Sequence, residues 1–131
     1  MPYLINHVHI RSADPSASAD WYAEHFGATK VSEREVMPGT VTISMDMGSP
    51  VRLNISSQVA GSSDERASAE LNRLGLEHFG FDVEDIESDI DRLSAAGVRV
   101  VLPITEVAGG AKLAYIEGPD DVLIELVQPP G

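Results

Sequence analysis

The segment Asn6-His7-Val8-His9-Ile10 places two of the chain's four histidines two residues apart in an apolar run. In a β-strand successive side chains alternate between faces, so His7 and His9 project to the same side. A third histidine, His78, opens the comparable run His78-Phe79-Gly80-Phe81-Asp82, and Glu125 lies within Leu123-Ile124-Glu125-Leu126-Val127. Two imidazoles and one carboxylate, with further positions open, form a common site for a divalent first-row metal ion. Open positions admit one or two substrate oxygens, which the ion polarises as a Lewis acid. The chain has no cysteine, so any metal site must use nitrogen and oxygen donors.

The elements that position these residues are related by a fixed offset. His7 and His78, Gly39 and Gly110, and Asn54 and Glu125 are each 71 residues apart. Gly27 and Gly97 differ by 70. An internal offset of this kind marks a duplicated supersecondary unit. Each half reads as strand, helix, strand, strand, strand. The first helix begins at Asp14-Pro15, a capping residue followed by proline at the first helical position, and runs to about Phe26 before stopping at Gly27. The second begins near Asp85 and stops at Gly97, with Ile86, Ile90 and Leu93 on one face. The last two strands of each half are joined by Met47-Gly48-Ser49-Pro50 and by Glu117-Gly118-Pro119-Asp120-Asp121, both turn-forming. This gives one domain: module one over 1–57, a polar Gly/Ser-rich linker over 58–74 with a helical turn expected around 64–73, and module two over 75–131. The fold class is α+β, each sheet burying one face against its helix and leaving a concave face free.

Strand parity assigns the faces. Val8, Ile10, Phe79, Phe81, Ile124 and Leu126 should face the helices. His7, His9, His78, Asp82 and Glu125 then share the other face with Arg52 and Asn54. A face carrying histidines and carboxylates is a lined cavity rather than a core.

Composition narrows the function. The 131 residues carry 9 Lys and Arg against 21 Asp and Glu, a net charge of −12. Phosphate-rich partners such as nucleic acid or an anionic membrane are therefore disfavoured. No basic segment followed by an apolar stretch opens the sequence, and no apolar run approaches the ~20 residues of a membrane helix. A cytoplasmic protein is expected.

The segments NHVHIRSADPSASADWYAEHFGA, LEHFGFDVEDIESDIDRLSAAGV and AYIEGPDDVLIELVQP resemble the vicinal oxygen chelate superfamily. That group includes glyoxalase I, methylmalonyl-CoA epimerase, extradiol dioxygenases, fosfomycin-resistance transferases and bleomycin-resistance proteins. The resemblance covers nearly the whole chain. It implies two βαβββ modules forming a curved, partly closed eight-stranded mixed sheet around a metal cavity. It further implies ligands at His7, His78 and Glu125, with Asn54 in a fourth place, and a homodimer. The alternative reading of the first strand makes His9 the ligand and packs His7. Asn54 departs from the Glu, Gln or His found there in glyoxalases and the epimerase. Its amide is a weak donor and cannot act as a base. Gly118 and Asp121 also stand where the family turn has Asp and Gly. The remaining two-His-one-carboxylate set favours Fe²⁺ or Mn²⁺, with Zn²⁺, Ni²⁺ or Co²⁺ as alternatives.

Further roles follow from residue type. His9, with an ordinary pKa of about 6.5, suits proton transfer. Tyr115, on the strand adjacent to Glu125, can donate a proton or hydrogen bond. Arg52 can hold a substrate carboxylate, and Asn54 can hydrogen-bond substrate. Tyr22 and Phe26 are read as core, and His25 as a favourable charge near its helix end. The expected function is metal-dependent lyase/isomerase or dioxygenase chemistry on a small molecule with vicinal oxygens. The alternative is a non-catalytic protein that binds a small molecule such as an antibiotic. A phosphonate-handling transferase is disfavoured by the few Lys and Arg.

Overall fold

The computed structural model describes residues 3–131. The chain divides into two compact units, Met1–Asp64 and Glu65–Gly131. The first unit contains β1 (His7–Ser12), α1 (Pro15–Phe26), β2 (Thr29–Arg34), β3 (Thr42–Asp46) and β4 (Arg52–Ser57). The second contains β5 (Phe79–Asp82), α2 (Ile86–Ala95), β6 (Val100–Glu106), β7 (Lys112–Gly118) and β8 (Val122–Gln128), with a short 3₁₀ turn at Pro119–Asp121 before β8. Each unit is thus a βαβββ module with a four-stranded mixed sheet. The strand orders are β1-β4-β3-β2 and β5-β8-β7-β6.

In both units the first strand runs parallel to the last, and the remaining pairs are antiparallel. A parallel partner cannot be reached by a tight turn and needs a crossover. The helix provides part of it. The helices begin alike. Asp14 accepts from the Ala17 N–H at 3.1 Å, and Asp85 from the Ser88 N–H at 3.1 Å. The two caps have nearly the same backbone angles, −142°, 87° and −139°, 87°. The side chain of Gln128 adds a second acceptor at the start of α2, taking the Ile86 N–H at 2.8 Å. Gly27 ends α1 in the left-handed conformation, φ 68°, donating its N–H back to the Ala23 carbonyl.

The apolar faces fall as the alternation predicts. Ser18, Ala19 and Tyr22 of α1 are buried, and the helix packs chiefly on β3 and β4. Ile10, Ile43, Met45, Leu53 and Ile55 complete the first core. In the second unit Ile86 and Leu93 are buried in α2 together with Ala114, Ile116, Ile124 and Leu126. Ile90, Phe26, Phe79 and Phe81 are half-buried. Leu123 departs from the parity reading. It shares Glu125's alternation yet is only 1% exposed, so that face of β8 is apolar before it becomes polar.

No helix forms over 64–73. Long-range ties hold this stretch instead. The Arg66 guanidinium lies 3.5 Å from Asp120, and the Ala69 carbonyl accepts from Arg99 at 3.2 Å. Ala69 is buried. Asn72 takes a positive φ of 71°, which no helix accommodates. Among the described residues, no helix is long and apolar enough to cross a membrane.

The matched caps give a direct test. Asp14→Ala and Asp85→Ala should each cost about 1 kcal/mol of stability in urea unfolding. A negligible effect for either would show that its side chain does not cap its helix.

Candidate active site

In the second unit β7 and β8 bring three expected residues together. Tyr115 pairs directly with Glu125, and Glu125 pairs with Gly80 of β5. His78 immediately precedes β5. Its Nε2 lies 3.4 Å from Glu125 Oε1, and its ring meets that of Tyr115 edge to face at 5.0 Å. Gly80 leaves the approach open. A Cβ there would sit in ordinary contact with Glu125, 3.5 Å from its Oε1.

The protons in this cluster are assigned by its neighbours. His78 Nδ1 donates to Glu77 Oε1 at 2.8 Å. Glu77 also accepts the Asn72 N–H. The bond to His78, then that from Asn72, hold the Glu77 carboxyl below its ordinary pKa. When the imidazole is neutral, a carboxylate on Nδ1 selects the tautomer with the Nε2 lone pair on the Glu125 side. Burial, followed by the hydrogen bond to Glu125, pushes the Tyr115 phenol up to about 12. Tyr115 therefore stays protonated and donates to the carboxylate.

This donor set suits a divalent cation. Two ligands about 2.1 Å from one ion stand about 3.0–3.4 Å apart at angles of 90–110°, close to the His78–Glu125 separation. A carboxylate behind a ligating histidine is the usual support for such a ligand. Among the described residues, no group of three or more His, Asp and Glu gathers as a metal cluster. His78 and Glu125 form a pair in the second unit, and His7 belongs to the first.

The first unit presents a cavity of about 510 Å³ on the sheet face away from α1. The cross-strand register lays out its floor in rows. His7 pairs with Arg52. His9, Asn54, Ser44 and Ser32 form the next row. Arg11, Ser56, Thr42 and Arg34 form the third. His7, His9, Arg52 and Asn54 thus share one cavity, as the alternation predicts. His7 Nδ1 donates to Asn6 Oδ1 at 2.5 Å, leaving its Nε2 lone pair available. His9 Nε2 lies 2.8 Å from Ser56 Oγ, which is itself 2.7 Å from Thr42 Oγ1. Burial, then the charges of Arg11 and His7, push the His9 pKa down, so His9 is neutral at neutral pH. In that state it can take a proton.

Sequence reading misses Asn6 and Glu77, the two residues that anchor the histidines. They are again 71 apart, and that offset is the signal that could have found them. It also misses Ser56, which strand parity with Asn54 would have placed, and Thr42 and Arg34, which only the register between β2, β3 and β4 brings to this face. His25 is stacked edge-on against Trp21 at 5.0 Å and does not line the first unit's cavity.

The sequence profile of the Glyoxalase/Bleomycin resistance protein/Dioxygenase superfamily matches residues 4–126. The chain belongs to that superfamily. A lactoylglutathione lyase of Pseudomonas aeruginosa is 24% identical over 147 aligned positions, spanning 96% of this chain and 82% of the relative. A glyoxalase family protein from Enterococcus faecalis is 26% identical with a TM-score of 0.72, covering 95% of this chain and 96% of the other. A glyoxalase family protein from Bacillus cereus superposes with a TM-score of 0.83 at 20% identity, covering 97% and 94%. The last likeness concerns fold alone.

The tautomer assignment is measurable. In metal-free protein at about pH 8, above the ordinary imidazole range, long-range ¹H–¹⁵N spectra should show His78 protonated on Nδ1. Glu77→Ala should shift it towards the Nε2–H form. An Nε2–H tautomer in the unaltered protein would contradict the assignment.

Proposed function

We propose that the protein is a divalent-metal enzyme acting on a small molecule with two adjacent oxygens. His78 and Glu125 serve as ligands, and His7 is the third. The observation that carries this is the His78–Glu125 pair with Nδ1 of His78 already committed to Glu77. His7, at the matching position of the repeat, has its Nδ1 committed to Asn6 in the same way. Fe²⁺ or Mn²⁺ suits the two-imidazole, one-carboxylate set best, with Zn²⁺, Ni²⁺ or Co²⁺ as alternatives. A divalent ion there would supply Lewis-acid polarisation of substrate oxygens.

The remaining residues do the orienting and proton handling. Arg52 holds a carboxylate of the substrate, and Asn54, between His9 and Ser44, offers an amide for a substrate oxygen. Neutral His9, oriented by Ser56, accepts the proton. Tyr115 keeps Glu125 hydrogen-bonded and aligned. This supports lyase or isomerase chemistry, in keeping with the lyase relative. Dioxygenase chemistry remains the alternative within the same site. Tyr3, Leu4, Ile5, Leu74 and Leu76 are strongly exposed just ahead of the edge strands β1 and β5, which supports assembly as a homodimer.

Metal analysis tests this reading. Protein purified without added metal, then loaded and desalted, should hold about one ion per chain. His78→Ala and Glu125→Gln should abolish this, and Glu77→Gln should lower affinity about 10- to 100-fold. No affinity for any divalent ion would overturn the reading in favour of a non-catalytic small-molecule binder. Oxygen consumption with a panel of catechols would then assign a metal-loaded protein to dioxygenase chemistry, and its absence to lyase or isomerase chemistry.

A further inference from the structure

The chain's nine Lys and Arg are not distributed like its acids. Lys30, Arg66, Arg92, Arg99 and Lys112 each lie against a carboxylate. Arg73 bonds a backbone carbonyl and sits near Glu77. Among the described residues, Arg11, Arg34 and Arg52 make no ion pair with any of the 21 acidic residues. All three line the cavity of the first unit, and no Asp or Glu lines it. Guanidinium groups are charged at every relevant pH. Gathering three of them on one face gives that face a local positive potential within an acidic chain, suited to an anionic ligand. Net charge alone hides this, because the negative excess lies elsewhere on the chain.

The register shows how they can converge. Arg11 and Arg34 stand at the two ends of one cross-strand row, on the edge strands β1 and β2, with Ser56 and Thr42 between them. Neighbouring strands are about 4.8 Å apart, so the two side chains rise from opposite sides of a hydroxyl-lined floor. Arg11 also donates to the Ser57 carbonyl at 3.0 Å, which fixes its direction. Arg52 enters from the row of His7. Val36, Met37 and Pro50 add apolar surface to the same cavity.

We propose that this face binds an anionic oxygen group, so that the substrate is a small molecule bearing a carboxylate, phosphonate or phosphate on a partly apolar body. Arg11, Arg34 and Arg52 supply the charge-assisted hydrogen bonds, and the Ser and Thr hydroxyls complete the site. The inference names the substrate class for the function proposed above and rests on that reading only for the chemistry that follows binding.

The test uses the full chain with metal removed, so its outcome is independent of metal binding. Inorganic phosphate, succinate and the neutral dimethyl ester of succinate are titrated separately, following backbone amide shifts. Saturable shifts centred on β1, β3 and β4 are expected for at least one anion and not for the ester. Response to phosphate alone would assign a tetrahedral oxyanion, and response to succinate alone a carboxylate. Arg52→Gln and the double variant Arg11→Gln/Arg34→Gln should each weaken binding about tenfold or more. Arg52→Lys keeps the charge without the bidentate fork and should fall between. Arg92→Gln, outside the cavity, should leave binding unchanged. The proposal is overturned if no anion saturates, if the ester binds equally well, or if Arg92→Gln weakens binding as much as the cavity variants.

Discussion

The parallel pairing of first strand with last, made separately in each unit, is the constraint from which the site follows. It places Gly80 directly against Glu125 and His9 directly against Asn54. Because the two strands run the same way, a residue just ahead of one is brought beside the polar positions of the other. His78 reaches Glu125 through this arrangement. The hydrophobic cores enforce it. Ile124 and Leu126 are fully buried on either side of Glu125, so a one-residue slip of β8 would turn the carboxylate into the core and expose two apolar side chains.

The two units use the same frame for different electrostatic ends. In the second, Glu77 with His78 and Tyr115 with Glu125 form two hydrogen-bonded pairs, and His78 Nε2 lies 3.4 Å from Glu125 Oε1. His78 Nε2 and the Glu125 carboxylate are the atoms proposed to hold a metal ion. In the first, Asn replaces Glu as the histidine's support and as the last-strand polar residue, at positions 6 and 54. Removing both carboxylates leaves the cavity with imidazoles, hydroxyls and guanidinium groups.

What the sequence reveals divides by range. The helix starts at Asp14-Pro15 and Asp85, and the stop at Gly27, are readable because capping is settled within a few residues. The strand faces at His7, His9, Arg52 and Asn54 are readable because alternation has a period of two. The stretch 64–73 is not readable. Its conformation depends on Arg66 meeting Asp120 and on Arg99 meeting Ala69, contacts invisible locally. Asn6 and Glu77 escape for another reason. Alternation assigns a residue and its neighbour to opposite faces, but both of these lie just before their strands begin, where the pleat does not hold. Arg11 and Arg34 are hidden by arithmetic, since a net charge of −12 says nothing about where nine cations stand.

His78 and Glu125 are proposed to present their free donor atoms to one ion. Anomalous diffraction from crystals soaked in Mn²⁺ or Fe²⁺, recorded on both sides of the metal's absorption edge, tests it most directly. An edge-dependent peak in contact with both His78 Nε2 and Glu125 Oε1 is expected. Density only at other sites, with His78 Nε2 and Glu125 left uncoordinated at saturating metal, would contradict it.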